Sequence, residues 1–174
     1  MIDLLQSYLA PWYLELKFLH LLFVGVWMFS TSVAYVFYLL PVMKAWRRNP
    51  EDREILTLRN WVMERFDEGA VYEHVAFPMI LITGSLLYIA GGWNYGVDWL
   101  NLKLLIVLGL FLPMELFDYY LSHFGGNKEK IRISGNAASY EQHIQMHWMF
   151  FLVSTPMVMI YGVLVLFLAI TKPL

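Results

Sequence analysis

The stretch YLELKFLHLLFVGVW, Tyr13–Trp27, begins an apolar run that continues to about residue 43. A helix needs about 20 apolar residues to cross roughly 30 Å of hydrocarbon, so this run is long enough to span a membrane. It also carries Lys17 and His20, which are three residues apart and therefore lie on one helical face. The stretch predicts a membrane helix with a polar group at depth.

Three more apolar runs of similar length follow along the chain. The predicted spans cover approximately residues 14–43, 74–93, 100–123 and 146–171. The composition agrees, with 59% hydrophobic and 15% charged residues and a mean hydropathy of +0.54. Because a bilayer tolerates only backbones whose hydrogen bonds are closed internally, we predict an all-α, four-helix membrane bundle forming one domain over residues 1–174.

Charge and cysteine content exclude several classes of site. A net charge of −2, with the basic residues spread over loops, gives no reason to expect a nucleic-acid partner. The chain has no cysteine, which excludes disulfides, thiolate-bound metals, iron–sulfur clusters and covalently attached c-type haem. Any functional site must therefore use histidine, lysine, methionine, tyrosine or carboxylate side chains.

Two charged loops predict the orientation. Nine of the twelve Lys and Arg lie in residues 44–68 and 123–143. The positive-inside rule places both loops in the cytoplasm, and both termini on the other side. Aromatic residues cluster at the predicted outer boundary, where amphipathic rings favour the headgroup level; they are Trp12, Tyr13, Trp93, Tyr95 and Trp99.

The first charged loop has a helical apolar pattern of its own. Five apolar residues fall near one face of a helix, which predicts a separate amphipathic helix on the membrane surface; they are Ile55, Leu58, Trp61, Val62 and Phe66.

His20 is the first candidate site residue. It lies about six residues inside the first span, roughly 9 Å deep, on one stripe with Lys17 and Trp27. One interpretation is structural: His20 bonds a neighbouring helix and Lys17 reaches the headgroups. The other is that neutral imidazole binds a metal or haem iron. In an antiparallel bundle Lys103 lies near the outer boundary at the same level as His20. A lysine at the membrane interface is also a common anchor.

A second polar group is predicted at the inner side, where residues from three helices converge. Two of its histidines are one helical turn apart on one face, a spacing that suits a metal ion or haem. The group, whose histidines are candidate metal ligands together with His20, consists of His74, Glu115, Asp118, His123, His143 and His147. The alternative is that these histidines are solvated polar ends of helices.

Glu115 lies about 12 Å from the inner end of the third span, counted from His123. An unpaired carboxylate at that depth stays protonated or needs a partner, for which Asp118, His74 and His147 are the nearest candidates. Glu115 and Asp118 are therefore the candidate catalytic, proton-handling residues.

Three segments together resemble the HemJ-type protoporphyrinogen IX oxidases and CopD-like four-helix haem-b membrane proteins. They are LKFLHLLFVGVW in the first span, WLNLKLLIVLGL at the start of the third, and TPMVMIYGVLVLFLAITKPL at the end of the fourth. The segments cover about a quarter of the chain and occur in the family's order. The chain departs from the family at Met114, where the family has a histidine, and it lacks the arginine that follows the first-helix proline.

The resemblance implies a b-type haem protein of the bacterial inner membrane, with haem at His20 and Lys103. Lys17 and Trp27 are further candidate cofactor-binding residues, since Lys17 could attract haem propionates. The expected role is redox, either porphyrinogen oxidation or electron transfer to quinone or a respiratory partner. A homodimer is an open expectation, because four helices leave little interior for a macrocycle.

Two other functions remain open from the residues alone. The first is metal-ion handling or transport by the inner histidine and carboxylate group, with an additional metal ion and no haem. The second is a non-catalytic accessory subunit, in which the polar groups only fix the register of the helices.

Overall fold

The computed structural model describes residues 2–93 and 96–173, and these residues form helices and short turns without any strand. Four helical segments are long and apolar enough to cross a membrane: Ile2–Arg48, Arg53–Ala90, Asp98–Ile133 and Ala137–Thr171. They contain the predicted spans 14–43, 100–123 and 146–171, and the predicted span 74–93 ends three residues beyond Ala90, so the chain is a multi-pass membrane protein with a helical bundle. The direction in which it crosses the membrane stays a prediction.

The first segment consists of three helices that follow one another without a loop. They are α1 (Ile2–Leu9), α2 (Tyr13–Ala34) and α3 (Leu40–Arg48). A 3₁₀ turn, Ala10–Trp12, joins the first two, and a π-helical turn, Tyr35–Leu39, joins the last two.

Helix α4 (Arg53–Ala90) forms the whole second segment. Asp52 begins it as a cap, because its carboxylate accepts hydrogen bonds from the backbone N–H groups of Glu54 and Ile55. The helix continues through Pro78. At 1.5 Å per residue its 38 residues extend about 57 Å, which exceeds the hydrocarbon thickness of roughly 30 Å.

The first charged loop is therefore helical, as predicted, but it is not a separate surface helix. Its residues belong to the same rod as the second span. Val62 is buried in the bundle and Phe66 packs against the same core, while Trp61 is exposed. The apolar face predicted to lie on the membrane surface is instead partly a packing face between helices.

The third segment contains α5 (Asp98–Ile106), a second π-helical turn at Val107–Phe111, α6 (Leu112–His123) and α7 (Lys128–Ile133). The fourth is one helix, α8 (Ala137–Thr171). Asn127 and Asn136 cap α7 and α8 through their side-chain oxygens, so a polar turn residue begins each of these helices.

Each π-helical turn precedes a proline by two residues. Leu40 N–H bonds the Tyr35 carbonyl just before Pro41, and Leu112 N–H bonds the Val107 carbonyl just before Pro113. A proline ring clashes with the carbonyl four residues before it in a regular helix, and a wider turn relieves that clash. The prolines thus explain why both helices widen where they do.

Two apolar cores lie at different levels of the bundle. We call the end with the turns at 49–52 and 124–136 the loop end, and the end with the link at 91–97 the link end. The core of the loop end is built around Met43, Met63, Ile144, Trp148 and Phe151. The second core, named here the Trp27 cluster, contains Trp27, Ala76, Phe77, Ile80, Ile106, Phe111 and Leu168.

The predicted aromatic boundary is found in part at the link end. Trp93 and Trp99 form an edge-to-face pair with ring centroids 5.3 Å apart, and Lys172 Nζ lies 4.7 Å from the Trp93 ring centroid. Trp12 is exposed at 57%. Tyr95 lies outside the described residues.

Candidate functional site

His20 is buried and is oriented by helix α4. The Thr83 hydroxyl donates its proton to the Met79 carbonyl at 2.6 Å, so its oxygen accepts from His20 Nδ1 at 2.9 Å. In a neutral imidazole that carries its proton on Nδ1, the lone pair is on Nε2. Thr83 thus sets the tautomer in which Nε2 can bind a ligand atom.

Glycine at position 84 makes room for this ring. A Cβ at Gly84 would lie 3.3 Å from His20 Cε1, which is tighter than an ordinary carbon–carbon contact. The imidazole therefore lies almost against the backbone of α4, one residue beyond the threonine that orients it.

Lys103 lies near His20, as the common level of the two residues predicts. It is close enough for its charge to act on the imidazole. Within residues 2–93 and 96–173, Lys103 forms no ion pair with a carboxylate. A half-buried cation beside a neutral imidazole favours an anionic group as a neighbour.

Two other residues predicted to bind the cofactor lie elsewhere. Lys17 is exposed, one helical turn toward the link end from His20. Trp27 is buried two helical turns from His20 toward the loop end, and its indole Nε1 donates a 2.5 Å hydrogen bond to Glu115 Oε1. Its polar group therefore belongs with the inner residues rather than with His20.

The inner residues form a continuous chain of hydrogen bonds centred on Asp118. His147 Nε2 lies 2.9 Å from one carboxylate oxygen of Asp118, and His74 Nε2 lies 3.0 Å from the other. His123 Nε2 lies 2.8 Å from His74 Nδ1. Asp118 thus joins helices α4, α6 and α8, with one imidazole on each of its oxygens.

Lys128 closes one end of this chain from the short helix α7. Its ammonium group is fully buried and donates to Asp67 Oδ1 at 2.5 Å, to the Leu121 carbonyl at 3.3 Å and to His147 Nδ1. Its backbone N–H donates to Asp67 Oδ2 at 2.9 Å. All three ammonium protons are therefore used, which is how a buried lysine is tolerated.

These contacts assign the proton positions along the chain. An ammonium group only donates, so His147 Nδ1 accepts and His147 Nε2–H donates to Asp118. A carboxylate only accepts, so His74 Nε2–H also donates to Asp118. Neutral His74 then accepts at Nδ1 from His123 Nε2–H. His123 is half-buried at the loop end, and so the chain runs from the rim of the bundle inward.

Glu115 is paired with Glu73, deeper in the bundle. The two side chains are 8% and 9% exposed, and their carboxyl groups line one cavity. Two buried carboxyl groups beside each other favour a state in which one of them carries a proton. Glu115 accepts from Trp27 at 2.5 Å. Its hydrogen-bond partner is thus Trp27, with Glu73 beside it in the same cavity, rather than the predicted Asp118, His74 or His147.

A cavity of about 20 Å³ connects this carboxyl pair with Asp118. Its polar wall contains Glu73, Glu115, Asp118, Ser154 and Thr155. The Oε2 atoms of both glutamates are buried without a hydrogen-bond partner among the described residues. A polar space of this size is large enough for about one water molecule.

The Trp27 cluster separates the inner residues from His20. It packs apolar side chains of α2, α4, the third segment and α8 across the bundle, between the level of His20 and the level of the inner residues. The inner chain and the His20 level are therefore two distinct polar sites, facing opposite ends of the molecule.

His143 stands apart from the inner chain. Its Nδ1 lies 2.7 Å from the Ser139 carbonyl in the preceding turn of α8, while His147 one turn later is fully buried in the chain. Across residues 2–93 and 96–173, no three His, Asp or Glu side chains are arranged as metal ligands. Both ring nitrogens of His74 and of His147 face protein partners instead of one common point.

The sequence prediction missed three members of the inner chain: Asp67, Glu73 and Lys128. A signal existed for the first two. Together with Ala70 they continue the buried stripe of α4 at steps of three residues, toward Ala76. Lys128 had no such signal, because its burial depends on how a short loop helix folds back against α4 and α8.

Comparisons of the chain with protein-family models, with curated proteins and with solved structures gave no match.

Proposed function

We propose that this protein is a b-type haem protein of the bacterial inner membrane with a redox role. The observation that carries the proposal is the orientation of His20 by Thr83. Histidines that bind a metal donate their second ring N–H to an oxygen, which fixes the tautomer and the direction of the ring. His20 makes this kind of contact with Thr83 at 2.9 Å.

Lys103 supplies the second part of the support. A haem brings two propionates as well as iron, and a cation without a carboxylate partner is suited to such an anion. When bound, the haem would supply one-electron chemistry, while the protein holds it and sets its surroundings. His20 would hold the iron through Nε2 and Lys103 would hold a propionate.

The reaction we propose is either porphyrinogen oxidation or electron transfer to a quinone or respiratory partner. Both take place at a membrane and involve large apolar molecules, as an integral membrane protein allows. A homodimer is part of the proposal, since four helices leave little interior for a macrocycle. Metal-ion handling by the inner histidines is less well supported, because their ring nitrogens bond to protein groups.

Absorption spectra of the purified protein in mild detergent test this function. Protein from haem-replete cells should show a Soret band and, after dithionite reduction, the α and β bands of b-type haem. Substitution His20→Ala should abolish these bands. Substitution Thr83→Val keeps the shape of the side chain but removes the acceptor for Nδ1, and should weaken haem binding about 10- to 100-fold.

Thr57→Val is the matched control for Thr83→Val. Thr57 lies on the same helix, and its hydroxyl bonds only the Arg53 carbonyl of the preceding turn at an exposed position. Its replacement should leave the spectrum unchanged. A folded wild-type protein without haem absorption would refute the proposal, and loss of the bands in His147→Ala alone would move the iron to the inner residues.

A further inference from the structure

The haem site proposed above leaves the inner chain without a role. We infer that His123, His74 and Asp118 conduct protons from the loop end of the bundle to a proton-binding site formed by Glu73 and Glu115. The path ends at the Trp27 cluster and therefore opens to one side of the membrane only. This inference does not depend on haem.

The first half of the path is the hydrogen-bonded relay. A proton that binds Nδ1 of His123 at the rim allows His123 to release its Nε2 proton to His74 Nδ1 across 2.8 Å. His74 then releases its Nε2 proton to Asp118 Oδ2 across 3.0 Å. In each step one bond to hydrogen forms as another breaks, so one proton moves inward and both rings return to the neutral form.

The second half of the path crosses the cavity. Asp118, Glu73 and Glu115 all line it, and the unpaired Oε2 atoms of the two glutamates are buried groups that need a hydrogen-bond partner. One water molecule fits the volume of about 20 Å³ and could bridge Asp118 to the pair. The proton that Asp118 releases converts the remaining carboxylate of the pair to a carboxylic acid.

The charged groups around the relay favour this direction. Lys128 is neutralised by Asp67, with which it makes an ion pair of 2.5 Å, and it touches the relay only through His147. With neutral histidines, Asp118 keeps its negative charge, and within residues 2–93 and 96–173 no lysine or arginine forms an ion pair with it. The carboxylate therefore attracts a proton from the rim, and His147 holds it in place from the other side.

The Trp27 cluster forms the closed end. Beyond Glu115 the path meets Trp27, whose only indole N–H is already donated to Glu115, and then Phe77 and Phe111 at ring distances of 5.5 and 4.9 Å from the Trp27 ring. Apolar, closely packed side chains carry no proton. Glu73 and Glu115 are thus the inner terminus of the path.

Infrared spectroscopy of the full chain in lipid nanodiscs tests the inference on protein without haem. The wild type should show the C=O band of a buried carboxylic acid near neutral pH, and both Glu115→Gln and Glu73→Gln should remove it. After transfer to D₂O the band should shift as the acid exchanges its proton. Asp118→Asn and His74→Phe should slow that exchange about 100-fold, the usual contribution of a positioned proton-transfer group.

Two further variants keep the test decisive. His123→Gln changes a half-buried residue at the rim, and it should also slow exchange. His143→Gln changes a histidine at the same end that bonds only within its own helix, and it should leave the rate unchanged. Absence of the carboxylic acid band, or equal exchange rates in wild type and folded His123→Gln, would overturn the inference, whatever the haem spectra show.

Discussion

Trp27 and Glu115 link the first and third membrane segments by one buried hydrogen bond, in which indole Nε1 donates to Oε1 at 2.5 Å. The residues are 88 positions apart in the chain. The bond satisfies the indole inside the Trp27 cluster and gives one glutamate oxygen a neutral donor. It therefore connects the Trp27 cluster to the inner polar residues.

Substitution Trp27→Phe tests the value of this bond. Phenylalanine keeps an aromatic ring in the cluster but leaves Glu115 Oε1 without its donor, which should lower the free energy of unfolding by about 1–3 kcal/mol. Unfolding in mixed detergent micelles, followed by far-UV circular dichroism, measures the change. Trp61→Phe, at a position that is 55% exposed, is the control and should change stability little. Equal effects of the two variants would contradict the role of the bond.

Lys128→Met should destabilise the protein strongly. The substitution leaves Asp67 as a buried charge without its cation, and removing one partner of a buried ion pair costs about 3–5 kcal/mol. The same unfolding measurement detects it. Lys130→Met changes an exposed lysine of the same helix and should be nearly neutral. If Lys128→Met is as stable as Lys130→Met, the ion pair with Asp67 is not formed in the folded protein.

Arg59→Lys should also be costly, although it keeps the charge. The Arg59 guanidinium donates to both oxygens of Glu141 at 2.8 and 2.7 Å and lies 4.5 Å from the Trp46 ring centroid. Lysine cannot make the paired contact or stack flat on the indole, so we expect a loss of about 1.5–3 kcal/mol. Arg53→Lys, at an exposed position, serves as the reference. A similar result for both variants would show that charge alone matters at Arg59.

Gly84→Ala should disturb His20 without unfolding the helix. A new Cβ 3.3 Å from His20 Cε1 must push the ring by a few tenths of an ångström, which should weaken any ligand held through Nε2. The measurement is the intensity and position of the Soret band proposed above. Gly69→Ala on the same helix meets no atom within 4 Å and should instead stabilise the protein by about 1 kcal/mol, because alanine favours helix. Identical spectra for Gly84→Ala and wild type would show that His20 does not bind the ligand.

Apolar length and periodicity were sufficient to predict the helical class and the four spans, since a membrane leaves the backbone few alternatives. Helix bounds were harder. The buried stripe of α4 runs from Arg59 through Met63 and Asp67 into the second span, and its polar members concealed the continuity. A stripe that changes from charged to apolar while keeping its helical spacing is the mark of one long helix.

The inner site could be predicted in outline only. His74, Asp118, His123 and His147 meet because antiparallel helices bring the loop ends together, which topology alone indicates. The partners of Glu115 and Lys128 depend on rotation of whole helices about their axes. Spacing along one helix carries no information about that rotation relative to its neighbours.

The π-helical turn at Val107–Phe111 adds one residue to the third segment above Glu115 and Asp118. Each residue of a regular α-helix turns it by about 100°, and the widened turn absorbs the extra residue, so Glu115 and Asp118 keep the phase of a regular helix that lacks it. Deleting a single residue within the turn would keep the length, composition and hydropathy of the segment almost unchanged. It would convert the widened turn to regular helix and leave both carboxylates in nearly the same phase, so a scan of single-residue deletions should find this turn more tolerant than the regular helix on either side of it.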